Sequence, residues 1–231
     1  MGLDIIIPLA KDRKSNYYEL RMTLRSIEKN LVGYRNIYIL GEKPGWIRNV
    51  THLPIPDVHH RKAFSIFRKM MTAAKMDEVS QHFISWADDT YLLEPLHTSG
   101  IKDWYDSTLK EWTYKNINSL YRQIIKNTWR LFPEGLFYNV HTPCIYEKER
   151  FIGLNKYNFS TTQYLIKSVY FNSAESNPVQ MKDPKRNKGL FFSTNGAVPK
   201  DITVLFPNPS IYEADHKTNA KAAFGMAKAT G

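Results

Sequence analysis

The chain has 231 residues, 42% of them hydrophobic and 23% charged, which suits one folded domain and excludes a disordered or low-complexity polymer. A lone cysteine, Cys144, excludes an internal disulfide framework, and no run of about 20 apolar residues offers a membrane span. Lys and Arg total 32 against 22 acidic residues, a net charge of +10 that draws anions such as nucleic acid, phosphorylated substrates or an acidic surface.

LDIIIPL, residues 3 to 9, is a β-branched run closed by Pro8 and reads as a buried strand. It is too short for a secretory leader, so a cytoplasmic location is expected. YYELRMTLRSIEKNL follows, with Leu20, Leu24, Ile27 and Leu31 at helical spacing, Ser15 or Asn16 as cap and Gly33 past the end. RNIYILGEKP predicts a strand over Ile37 to Leu40, and VTHLPIP a short extended piece. A helix is predicted from Arg61 to about Met76, with Phe64, Phe67, Met71 and Ala74 inward. HFISWADD is a strand ending in acid. This alternation predicts an α/β domain with a mostly parallel sheet.

Residues 101 to 132 are polar-aromatic and predict a helical insertion marked by Trp104, Trp112, Leu120, Ile124 and Trp129. GLFYNVHTPCIYEKERF predicts a strand, a break at Pro143 and a helix; QYLIKSVYFNS predicts another helix. MKDPKRNKG is a basic loop, GLFFSTNG a strand and LFPNPSIYE a Pro-broken segment. One domain is expected over residues 1–216, with a basic tail at 217–231.

Chemistry concentrates at Asp88 and Asp89. Two adjacent carboxylates at a strand end can seat Mn²⁺ or Mg²⁺ against substrate phosphates, or one can cap a turn while the other pairs with a cation. His141, in YNVHTP, is a candidate metal ligand, phosphate donor or general base, or a structural histidine. His216 is a second candidate. His59, His60, Arg61 and Lys62 put cations at a predicted helix N-terminus, where phosphates bind or a solvated basic cap forms. Arg21 and Arg25 lie one turn apart, suited to a diphosphate or to ion pairs with Glu19 or Glu28. No Walker loop, GxGxxG, nucleophile elbow or zinc-spaced cluster is present.

Three stretches together resemble one family. ELRMTLRSIEKNLVGYRNIYILGEKPGWI, VSQHFISWADDTYLLEPL and VLFPNPSIYE are similar, in order and rough spacing, to the motifs of the Stealth proteins, capsule-type sugar-phosphate transferases. The resemblance implies a GT-A-like, Rossmann-type fold using a nucleotide-sugar donor, a UDP-sugar or another. It puts Asp88 and Asp89 on the family's acidic pair, Arg21 and Arg25 on the two arginines of the first helix, and His141 on a His-x-Pro segment. Two departures favour plain glycosyl transfer. The family's acidic turn after the first strand is here PLAKDRKSN, and its late acidic motif is replaced by Asn195-Gly196.

On this basis Asp88 and Asp89, with His141 as a further metal ligand, would hold the ion. Arg21, Arg25, Arg61, Lys62 and Asp57 would bind the donor, unless Asp57 only forms a turn. Asp88, His141 or Glu175 would act as base. The basic charge suggests a hydroxymethylated base in phage DNA as acceptor, with DNA as a partner. The alternative is a Stealth-like glycosyl or sugar-1-phosphate transferase acting on a surface or capsular polysaccharide. A non-catalytic nucleic-acid-binding protein is a third reading.

Overall fold

The computed structural model describes residues 2–11, 16–58, 61–185, 188–194 and 197–214. The first half contains β1 (Leu3–Leu9), α1 (Tyr18–Asn30), β2 (Leu31–Val32), β3 (Tyr34–Gly41), β4 (Thr51–Leu53), α2 (Lys62–Ala74), β5 (His82–Ser85), β6 (Thr90–Leu92), β7 (Leu96–His97) and β8 (Asp103–Tyr105). The second contains α3 (Leu109–Tyr114), α4 (Ser119–Leu131), β9 (Cys144–Glu147), α5 (Lys148–Ile152), α6 (Ile166–Asn172), β10 (Pro178–Gln180), β11 (Phe191–Ser193) and α7 (Lys200–Leu205).

The central five-stranded sheet has the order β4-β3-β1-β5-β9. Its first four strands are parallel and β9 is antiparallel to β5, so the α/β, mostly parallel expectation holds. Strand periodicity sorts the core. Ile5, Ile7 and Leu9 of β1, Ile37 and Ile39 of β3 and Ile84 of β5 pack with Leu20, Leu24 and Ile27 of α1. Ile6, Tyr38, Leu40 and Phe83 go to the other face, with Phe67, Met70 and Met71 of α2. Both faces are thus covered by helices, the condition for a Rossmann-type sheet of near-continuous apolar strands. Gly41 ends β3 at φ +123°, where a Cβ would lie 2.1 Å from the Leu9 carbonyl oxygen, so only glycine fits there.

Several local expectations shift. Of the two expected caps, Ser15 lies outside the described residues and Asn16 does not cap α1. Tyr17 holds the N-cap position at φ 58° without a side-chain cap bond, directly after Asn16 at φ 52°. The insertion does not begin as helix: Trp104 lies in β8, because β10 from much later in the chain supplies its parallel partner. The strand expected before Pro143 forms after it, as β9. Proline has no N–H for a ladder, so pairing with β5 starts at Cys144 opposite Ser85. Residues 136–140 carry no strand; Leu136 makes a single bridge to Thr108. α7 was not anticipated. It buries Ile202, which joins Phe206, Met22 of α1 and Tyr91 of β6 in a small cluster. Among the described residues no helix is long and apolar enough to cross a membrane.

Candidate active site at the carboxyl ends of β1 and β5

In the strand order, the chain leaves β1 toward β3 on one side, while β5 flanks it on the other. Such a switch point opens a crevice beyond the carboxyl ends of the two strands, the usual ligand position in this class of sheet. Asp88 and Asp89 lie there, in the turn between β5 and β6. The turn is tied on every side. The Trp86 N–H donates to the Ile6 carbonyl at 3.0 Å, and the Trp86 indole to the Thr90 carbonyl at 2.8 Å. The Thr23 hydroxyl of α1 donates to the Asp88 carbonyl at 2.7 Å, and the Thr194 N–H to the Asp89 carbonyl at 3.3 Å. These bonds fix the backbone from which both carboxylates project.

Their electrostatics follow. Burial, then the neighbouring Asp89 charge, push the Asp88 carboxyl up to about 7, with Lys62 opposing and Glu19 adding to the rise. Lys185 brings its ammonium to 3.9 Å from Asp89. Burial lowers the Lys185 amine while Asp89 and Asp183 pull it back up. The Asp89 charge thus raises the proton affinity of Asp88, while Lys62 and Lys185 oppose the negative charge of the pair. Among the described residues no third Asp, Glu, His or Cys joins them as a metal-binding group. The pair therefore fits an ion that takes one or two carboxylates and completes its shell with water and phosphate, as Mg²⁺ does, and not a closed protein cage.

The antiparallel register of β9 with β5, Ser85 opposite Cys144, carries residues 141–143 past the end of β5 on the side of the doublet. His141 enters from there. Its Nδ1 lies 2.9 and 3.0 Å from the two carboxylate oxygens of Asp183. Asp183 is buried, and its Oδ1 also accepts the Lys185 N–H at 3.0 Å. Burial alone would raise this carboxyl, but the His141 hydrogen bond and charge, with the backbone donors, hold it below its usual range. The backbone around His141 is held as well. The Lys167 ammonium donates to the Val140 carbonyl at 2.7 Å and to that of Thr142. The short span Asp183–Lys185 thus touches both His141 and Asp89.

The other candidates are placed differently. Arg21 and Arg25 converge on buried Glu213: Arg21 Nη1 lies 2.8 Å from Oε2, and Arg25 Nε 2.6 Å from Oε1. Arg21 also stacks over the Trp46 ring at 4.0 Å. Ile47 bridges to Glu213, and the Ala214 N–H donates to Trp46 at 2.7 Å. The arginine helix, the PGWI segment and the closing PSIYE segment therefore form one joint, with Glu213 at its centre. The partner of the arginine pair is Glu213, not the Glu19 or Glu28 considered from sequence. Arg61 donates to the Ser160 and Phe159 carbonyls, turning toward that loop. Lys62 stays close enough to act on Asp88. Asp57 pairs with buried Lys69 at 2.6 Å, and Lys69 also donates to the Leu9 carbonyl at 2.7 Å, under the end of β1.

Glu175 is not brought to the doublet. It is exposed, its carbonyl accepting from Arg150 of α5. That helix follows Glu147, which pairs with His82 at the opposite end of β5. Asp12, His59, His60, Asn195, Gly196, His216 and the tail lie outside the described residues. Sequence reading missed Asp183, Lys185, Lys167, Lys69 and the role of Glu213. Asp183 was hidden in a loop read as basic, where an Asp-Pro between lysines was the one available signal.

No family model matches the chain. Two curated proteins are similar to it. A capsular polysaccharide phosphotransferase of Haemophilus influenzae, fcs1, is 26% identical over 236 residues, covering 93% of this chain and 64% of that protein. A capsular polysaccharide phosphotransferase of Neisseria meningitidis serogroup B is 30% identical over 94 residues, 36% of this chain and 25% of that protein. Both are the kind of protein whose motifs the sequence resembles. The chain spans less than two thirds of the length of either.

Proposed function

We propose that the chain is a sugar-phosphate transferase, moving a sugar 1-phosphate from a nucleotide-diphosphate sugar to a hydroxyl of a surface-type polysaccharide. The observation that carries this reading is the similarity to a capsular polysaccharide phosphotransferase along 93% of the chain. The geometry supports it: a carboxylate pair at the switch point, with a carboxylate-bound histidine at the same edge of the sheet. The comparisons favour this over plain glycosyl transfer. The DNA acceptor drew on basic clusters of which His59, His60, Arg186, Asn187 and the tail lie outside the described residues, and nothing in the described site favours it.

Asp88 and Asp89 would hold Mg²⁺ or Mn²⁺, which when bound supplies charge neutralisation to the diphosphate. Lys62 and Lys185 add positive charge beside the same carboxylates. His141 Nε2 takes the proton of the acceptor hydroxyl. The acceptor oxygen bonds to the sugar-bearing phosphorus, the bond from that phosphorus to the bridging oxygen breaks, and nucleoside monophosphate leaves. Arg21 and Arg25 shape the donor side through Glu213 and need not touch the diphosphate.

The test is product analysis by mass spectrometry, with a panel of nucleotide sugars, oligosaccharide acceptors and hydroxymethylcytosine DNA beside plain DNA. Nucleoside monophosphate and a phosphodiester-linked sugar are expected. Nucleoside diphosphate would mean glycosyl transfer instead, and sugar on hydroxymethylated DNA alone would restore the DNA acceptor. Asp88→Asn with Asp89→Asn should lower turnover by at least about 100-fold. Full turnover in that double variant would remove the doublet from the mechanism.

A further inference from the structure

We infer that Asp183 is the positioning residue for His141: the buried carboxylate holds the imidazole in one orientation and in the Nδ1–H tautomer, so that Nε2 carries the lone pair presented to the acceptor. This rests on the proposed reaction for its purpose, but the orientation stands on geometry alone.

Three observations converge. Both oxygens of Asp183 lie within 3.0 Å of Nδ1, which an ionised carboxylate can do only as acceptor, so the proton sits on Nδ1. Asp183 is 6% exposed, and its Oδ1 is itself fixed by the Lys185 N–H, so it cannot swing away without leaving a buried charge. The carbonyls on either side of His141, of Val140 and Thr142, are both held by Lys167, so the ring is anchored at its backbone as well as at Nδ1. Without the carboxylate, a neutral imidazole in water favours the proton on Nε2, the wrong nitrogen for a base facing outward. The loop MKDPK also links the two halves of the site. Asp183 serves the histidine, and two residues on, Lys185 approaches Asp89.

The experiment uses the full chain labelled with ¹⁵N-histidine, with His141 assigned by loss of its signal in His141→Gln. Nitrogen shifts at pH 8.5 report the tautomer directly and need no substrate. The wild type is expected to show Nδ1–H. Asp183→Asn keeps an acceptor for the Lys185 N–H and should shift His141 substantially toward Nε2–H. Asp183→Glu should return most of the Nδ1–H signal. In turnover, Asp183→Asn should reduce kcat by about 10–100-fold with little change in KM, with partial rescue in Asp183→Glu. A purely structural Asp183 would instead lower the thermal midpoint in both variants and leave the tautomer of the folded fraction unchanged.

A wild-type Nε2–H tautomer, or the same tautomer in wild type and Asp183→Asn, overturns the inference whatever the enzyme does. An Asp183-dependent tautomer combined with full turnover of His141→Gln would keep the positioning and defeat the base assignment in the proposed function. The two failures are therefore distinguishable.

Discussion

Asp88 illustrates how much a single residue's setting can add to its identity. Its carboxyl ionises near 3.8 in an open chain and at about 7 in the fold, because of burial and the adjacent Asp89. Between those values the folded state holds the extra proton, so stability from this group is present at low pH and is lost as pH rises through 7. Without divalent ions, Asp88→Asn should therefore melt about 2–4 °C above the wild type at pH 8, with the gap closing near pH 4. Adding Mn²⁺ at pH 8 should raise the wild-type midpoint and leave that of Asp88→Asn nearly unmoved; differential scanning fluorimetry reads both. Glu213 shows the opposite balance. Burial would raise it, but Arg25, the Ser210 N–H and Arg21 hold it low. Glu213→Ala leaves Arg21 buried without its partner and should cost about 3–5 kcal/mol in urea unfolding. Arg21→Met together with Glu213→Leu should recover part of that loss, since a buried ion pair owes much of its apparent worth to the penalty of breaking it.

At the level of elements, the alternation of apolar residues in β1, β3 and β5 was legible because period 2 decides which face each side chain takes. The leucine stripe of α1 was legible for the same kind of reason, at period 3.6. β8, β9 and the closing joint were not. β8 and β9 are short strands whose partners come from distant segments, and no local pattern encodes such pairing. Gly41 lies between the two cases: it marked a strand end in the sequence, while its need for φ +123° and its approach to Leu9 emerge only in the fold. Gly41→Ala should destabilise by at least about 1–3 kcal/mol from backbone strain. It should also disturb Lys69, whose ammonium would lie 2.6 Å from the new Cβ. A melt of Gly41→Ala beside Gly45→Ala, where no atom of the described residues beyond the chain neighbours lies within 4 Å of the added carbon, separates the crowding from a general glycine effect.

Over the whole molecule, the net charge of +10 favours a polyanionic partner without naming it. An acidic oligosaccharide should be retained at about 50 mM salt and released by about 500 mM, where the Debye length has shrunk to a few ångströms, while a neutral glycan of equal size should show little dependence. Surface plasmon resonance at graded salt checks this, and equal, salt-independent binding of both glycans would remove charge from acceptor recognition.

The amino-acid order alone determined the α/β class, the position of the acidic doublet at a strand end and the motifs that resemble those of capsule-type transferases. Each is local: a period, a run or a short string. What only the tertiary structure decided is which of the charged residues meet. Arg21 and Arg25 are joined to Glu213 across 192 and 188 positions, and His141 to Asp183 across 42, while Glu175 is exposed with its carbonyl on Arg150. Those partnerships depend on strand register and on the order of strands in the sheet. Both are settled by burying two apolar faces at once, a condition that no single segment expresses by itself.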